Sequence, residues 1–168
     1  GKTWALKYFG QKYFEDVAYF SLDKDESGLC DIFKTTKDPR RIIQQLSFLH
    51  GKKINPQTTL LILDEIQECN EALNALKYFC EEAPEYAVAC AGSLLGIYLN
   101  HIGNSFPVGK VNHLSMYPLT FTEFLKTKDP NMYEYLCFIK EIAPLPQIFF
   151  DKLRESFVAY SICSYILG

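Results

Sequence analysis

The sequence predicts an α/β fold: a parallel sheet flanked by helices, followed by the start of a helical subdomain. Two observations predict it. Four short apolar runs are separated by helix-length polar stretches, and one of them, Leu60-Leu61-Ile62-Leu63, is continuously apolar. A strand buried on both faces of a parallel sheet reads that way, and alternating strands and helices call for crossover connections. The composition permits such a core. Of the 168 residues, 48% are hydrophobic and 22% charged, which excludes disordered and low-complexity classes. No apolar run approaches the ~20 residues needed to cross a bilayer, so no membrane role is expected.

Taken in order, residues 2–13 place Trp4, Ala5, Tyr8 and Phe9 at helical spacing. Val17 to Phe20 with Leu22 reads as the first strand. Residues 39–50 open on Asp38-Pro39, a cap residue before a proline in the first turn, and Gly51 follows them. Their apolar face is Ile42, Ile43, Leu46 and Leu49. After the second strand, residues 70–82 start from Asn70 as N-cap, repeat Leu73, Leu76 and Phe79, and end at Ala83-Pro84. Tyr86 to Ala91 is the third strand and Val111 to Met116 the fourth. The character changes after Pro118. Thr120 and Glu123 have capping-box spacing for a helix over 120–128, and helices follow over 131–142 and 147–167. The expected domains are therefore a core over 1–118 and a partial helical subdomain over 119–168.

Charge and cysteine content narrow the function classes. Seventeen basic against 20 acidic residues give a net charge of −3, which disfavours a whole-surface nucleic-acid binder. The six cysteines (Cys30, Cys69, Cys80, Cys90, Cys137, Cys163) contain no C-x-x-C pair. His50, His101 and His113 stand at no metal-ligand spacing from them. Reduced core thiols in a cytoplasmic protein are the expectation. Asp23, Asp25 and Glu26 leave the EF-hand pattern incomplete and read as a solvated turn.

Two motifs carry chemistry. Gly1-Lys2-Thr3 precedes a helical pattern at once, as the closing part of a P-loop (Walker A) does. Glycine frees backbone N–H groups to face phosphate, lysine reaches β- and γ-phosphate oxygens, and the threonine hydroxyl ligates Mg²⁺. Alone the tripeptide is a weak signal. The second motif, Thr59-Leu60-Leu61-Ile62-Leu63-Asp64-Glu65, is an apolar strand ending in two carboxylates, as in a Walker B strand. At the C-terminal edge of a parallel sheet, Asp64 can serve Mg²⁺ and Glu65 can polarise an attacking water. An acidic turn capping the next helix is the other reading of this segment. Sixty-one residues separate Thr3 from Asp64, room for helix, strand, helix and the acid-bearing strand. That is the spacing of P-loop ATPases that insert one strand between the motifs. Ser93, at the tip of the next strand, is a candidate contact for the γ-phosphate, with a plain strand-to-helix turn as the alternative.

Leu63-Asp64-Glu65-Ile66-Gln67, Ala91-Gly92-Ser93 and Tyr117-Pro118-Leu119-Thr120-Phe121-Thr122-Glu123-Phe124-Leu125 together resemble prokaryotic AAA-type ATPases. The resemblance spans about residues 1–128. It implies an ATP-binding P-loop NTPase core with a helical lid, in proteins that carry a further, nuclease-like C-terminal domain. By position it implies that Gly1, Lys2 and Thr3 bind the nucleotide phosphates and that Thr3 and Asp64 hold Mg²⁺. Glu65, Lys2 and Ser93 become the catalytic set. Lys110 falls at a Gly-[Arg/Lys] step where such proteins place a trans-acting arginine, though a solvated lysine is the plainer reading. Arg154 is assigned no such role. The chain departs from the family over 157–168.

The expected function is Mg²⁺-dependent ATP hydrolysis. The alternative is a nucleotide-dependent switch that binds protein or DNA with little turnover. A homo-oligomer is a possible assembly. The chain starts at Gly1 and ends within an apolar run, so it is expected to be a piece of a longer protein. The expected cuts fall inside the phosphate loop and inside the lid, leaving the first strand out and ATP binding by the isolated piece poor.

Overall fold

A computed structural model describes residues 1–23, 28–92, 109–140 and 144–167, with backbone alone for 163–167. The chain divides into two compact units, Lys2–Leu114 and, together with Gly1, Ser115–Gly168. The first contains α1 (Lys2–Tyr13), β1 (Asp16–Ser21), α2 (Leu29–Thr35), α3 (Pro39–His50), β2 (Thr59–Asp64), α4 (Asn70–Glu82) and β3 (Ala87–Cys90). The second contains α5 (Phe121–Lys128), α6 (Pro130–Phe138) and α7 (Gln147–Leu167).

The fold is the α/β architecture that the apolar runs predict. Its sheet is parallel, in the order β1-β2-β3. Pairing runs from Asp16–Thr59 to Ser21–Asp64 on one side of β2, and from Leu60–Ala87 to Leu63–Cys90 on the other. Every residue of β2 is buried, which explains its unbroken apolar run. Phe33, Ile42, Leu46, Leu61, Leu63 and Ile66 lie within one core, each at most 1% exposed. Removing such a side chain from water is worth roughly 1.5–3 kcal/mol.

Local chemistry sets the helix positions. The Asp38 carboxylate accepts from Arg40 N at 3.0 Å, Pro39 opens α3, and Gly51 ends it at φ 75°. α1 approaches the sheet through Gly10, where a Cβ would stand 2.6 Å from Val17 Cγ2. In the helical unit, Thr120 and Glu123 make the reciprocal capping box, and Asp129 accepts from Met132 N at 3.1 Å. There the rings of Phe121, Phe157 and Tyr160 meet edge-on or tilted, and the Tyr160 hydroxyl donates to Leu119 O at 2.7 Å.

Three expectations need correction. Val111 to Met116 forms no strand: Leu114 is 86% exposed and Met116 51%. A strand exists only where a neighbour completes its ladder, and none of the described strands pairs with this segment. The N-cap of α4 is Cys69, without a side-chain cap bond, and Asn70 is already helical. α6 begins at Pro130 and stops at Phe138, where Ile139 turns extended, short of the expected residue 142. One helix, α2, has no counterpart among the sequence expectations. No helix among the described residues is long and apolar enough to cross a membrane.

Candidate functional site

The C-terminal ends of the strands and the N-terminal end of α1 converge on Asp64. Lys2 is the first residue of α1 and is exposed, as is Gly1. Thr3, in the first turn, is half-buried and donates its hydroxyl to Asp64 Oδ2 at 2.7 Å. Helix start and strand end, 61 residues apart in the chain, are thus joined by one hydrogen bond. The Tyr19 hydroxyl donates to the same Oδ2 at 3.0 Å, and Glu65 N donates to Oδ1 at 3.1 Å. Asp64 is 4% exposed, and three donors on its carboxylate offset the cost of burying it.

Tyr19 is a member of this cluster that the sequence analysis missed. It sits two residues before the end of β1, and its phenol titrates above the ordinary tyrosine value. Burial is the main cause, followed by the hydrogen bond and the charge at Asp64. Lys7 Nζ lies 3.4 Å from the centre of its ring, so a cation from α1 covers it. The alternation of β1 could have placed Tyr19 on a given face, but nothing in sequence pairs it with an acid 45 residues on.

Beyond Asp64 the chain leaves the sheet abruptly. Glu65 has φ 50° and ψ 44°, a left-handed conformation that costs a non-glycine residue roughly 1–2 kcal/mol. A one-turn 3₁₀ segment, Ile66–Glu68, follows. Gln67 Nε2 donates to Glu65 Oε2 at 2.7 Å and thereby orients the carboxylate. Ile66 N donates to Ala91 O at 3.0 Å, and Ala91 N to Leu63 O at 3.0 Å. Ala91, just past β3, is therefore tied to both sides of the Asp64-Glu65 pair. Ser93, the remaining candidate, lies outside the described residues, as do Asp25 and Glu26 of the acidic run.

The arrangement brings Thr3, Asp64 and Glu65 to one edge of the sheet. A hydroxyl and a carboxylate oxygen are the hard donors that Mg²⁺ takes, so Thr3 and Asp64 fit that cation. Lys110 pairs with Glu81 at 3.2 Å, in keeping with a surface lysine. Arg40 and Arg41 pair with Glu85 and Asp38 on exposed surface. The expectation of uniformly reduced cysteines is overturned: Cys30 and Cys69 form a disulfide, while Cys80, Cys90 and Cys137 are free. The packing of α2 against α4 brings the pair together across 39 residues, a separation at which no spacing rule operates.

A family model described as an AAA domain matches residues 1–125. No curated protein and no solved structure matches the chain.

Proposed function

The chain belongs to the AAA domain family, of nucleotide-binding, ATPase-type function, and on that premise we propose that it binds Mg·ATP and hydrolyses it. The single observation that carries this reading is the 2.7 Å hydrogen bond between Thr3 and Asp64. Packing of α1 on the sheet brings the phosphate-loop hydroxyl to the strand-end carboxylate, and the hydrogen bond helps satisfy a buried charge. The same placement suits two groups that face one cation.

In this reading residues 1–118 are the nucleotide core and 119–168 the helical subdomain. The backbone at Gly1 and the Lys2 ammonium receive the phosphates at the positive end of α1. Thr3 and Asp64 would hold Mg²⁺, which neutralises charge across the β- and γ-phosphate oxygens when bound. Glu65, steadied by Gln67, accepts hydrogen-bonding from the attacking water and directs it in line with the bond that breaks. Ser93 joins this set by its place after β3. Positioning and fixed charge supply most of the rate, since phosphoryl transfer needs little covalent participation from protein.

Glu65→Gln in the intact protein tests the assignment. Hydrolysis should fall by roughly 10²-fold or more while ATP binding persists. Turnover at the wild-type rate would remove Glu65 from its role. One observation favours a second reading, a nucleotide-dependent switch acting on a protein or DNA partner with little turnover. The Gln67 amide engages Glu65 at 2.7 Å and draws electron density from the carboxylate meant to act on water. Wild-type protein that binds ATP but never turns it over, with or without partner, decides for the switch.

A further inference from the structure

The cluster formed by Cys30, Cys69 and Glu71 plays no part in the nucleotide site and asks for its own chemistry. Both cysteines are buried, at 8% and 1% exposure, while Glu71 is more open to solvent. One oxygen, Glu71 Oε2, stands 3.7 Å from each of the two sulfurs. Sulfurs joined to one another carry no proton to donate, so a carboxylate gains no hydrogen bond by standing against both. The same position is productive around a metal. Two thiolates at about 2.3 Å and a carboxylate oxygen at about 2.0–2.2 Å from a tetrahedral zinc lie about 3.5–3.8 Å apart. Glu71 already keeps that spacing to both sulfurs.

We propose that Cys30, Cys69 and Glu71 are the protein ligands of a site for a zinc-class divalent cation, occupied when the cysteine pair is reduced. The chemistry balances in two steps. An external thiol reductant delivers two electrons, the Cys30–Cys69 bond breaks, and two thiols form while the reductant leaves as its own disulfide. The cation then binds, both thiol protons are released to solvent, and two metal–sulfur bonds form. Soft thiolates select zinc-like ions over Mg²⁺, so this site and the hard-oxygen pair Thr3–Asp64 do not compete for one metal. Three protein ligands leave a fourth position for water.

The backbone accommodates both states. The two Cα atoms are 5.9 Å apart, so rotation about the side-chain bonds can part the sulfurs without moving α2 from α4. Cys69 ends the 3₁₀ turn that begins after Glu65, and its N–H donates to Ile66 O at 3.1 Å. Cation or disulfide would therefore pin that turn to α2, and the reduced, empty form would release it.

Cobalt(II) serves as the probe. The intact protein is reduced with a phosphine, placed in excess Mg²⁺ to fill hard-oxygen sites, and titrated anaerobically. The expected result is a thiolate-to-cobalt charge-transfer band that saturates at one equivalent and is displaced by Zn²⁺. The Cys30→Ser/Cys69→Ser variant should lose the band, and Glu71→Gln should weaken binding by at least about tenfold. No band in the wild type, an undiminished band in the double variant, or unchanged affinity in Glu71→Gln would each overturn the site. Should the serine variant fail to fold, Glu71→Gln decides alone, because that side chain reaches solvent and its circular dichroism can be checked against the wild type.

Discussion

The sheet unit and the helical unit hold themselves together by different means. In the first, β2 is buried along its whole length, and α2, α3 and α4 contribute to one continuous apolar core. In the second, the buried apolar side chains among the described residues are Leu125 and Met132. Phe157, Phe150 and Val158 there remain about half exposed. That unit depends on local devices instead: the Thr120–Glu123 box, the Asp129 cap and the ring cluster around Tyr160. Non-local burial fixes atoms from distant parts of the chain against each other, which a site such as Thr3–Asp64 requires. Caps and rings fix only neighbours in sequence or along one helix pair.

The contrast can be broken at three places, in order of expected effect. Leu61, fully buried at the centre of β2, becomes a cavity in Leu61→Ala, and the core should lose about 2–5 kcal/mol. Chemical denaturation followed by far-ultraviolet circular dichroism measures the loss. A change below 1 kcal/mol would mean the sheet is not the main source of stability. Thr120→Ala removes the cap of α5 and should cost about 1 kcal/mol, confined to the helical unit. Amide exchange should speed up in the first turn of α5 and stay unchanged in β2; uniform acceleration would contradict local support.

The smallest effect is electrostatic. Asp16, at the start of β1, accepts from His50 Nε2 at 2.8 Å, with Lys52 at 3.8 Å. The hydrogen bond from His50 is the main reason that the carboxyl titrates below its usual value; burial opposes it, and Val17 N–H and Lys52 reinforce it. A carboxylate with a lowered native value favours the folded state above the ordinary carboxylate range. That share is lost as pH falls through the depressed value. For a pair this accessible it amounts to less than about 1 kcal/mol. Comparing Asp16→Asn with wild type at neutral and acid pH measures it, and the difference should shrink on acidification.

Much of the sheet unit was legible because its signals are local. The run Leu60–Leu63 needs only its own apolarity, and Asp38-Pro39 with Gly51 marks both ends of α3 within a few residues. Thr120 and Glu123 announced α5 in the same way. Failures came where structure depends on distant partners. Val111 to Met116 has strand composition, yet a strand is decided by whether an edge is there to receive it. α2 has seven residues and starts from Gly28 in a left-handed conformation, too short for a helical period to register. For the candidate site, Thr3, Asp64 and Glu65 could be named in advance because phosphate chemistry fixes their order along the chain, and folding brings the first two into contact. Tyr19 and the Cys30–Cys69–Glu71 cluster follow no such order, and only folding assembles them.

If Thr3 and Asp64 share a cation beside bound ATP, nucleotide affinity depends on Mg²⁺ through Asp64. Titration of the intact protein with a fluorescent ATP analogue, with Mg²⁺ and with chelator, tests it most directly. Wild type should bind more tightly with Mg²⁺, and Asp64→Asn should abolish that Mg²⁺ dependence while remaining folded. Equal binding by wild type and Asp64→Asn in Mg²⁺, with the same response to chelator, would contradict the account.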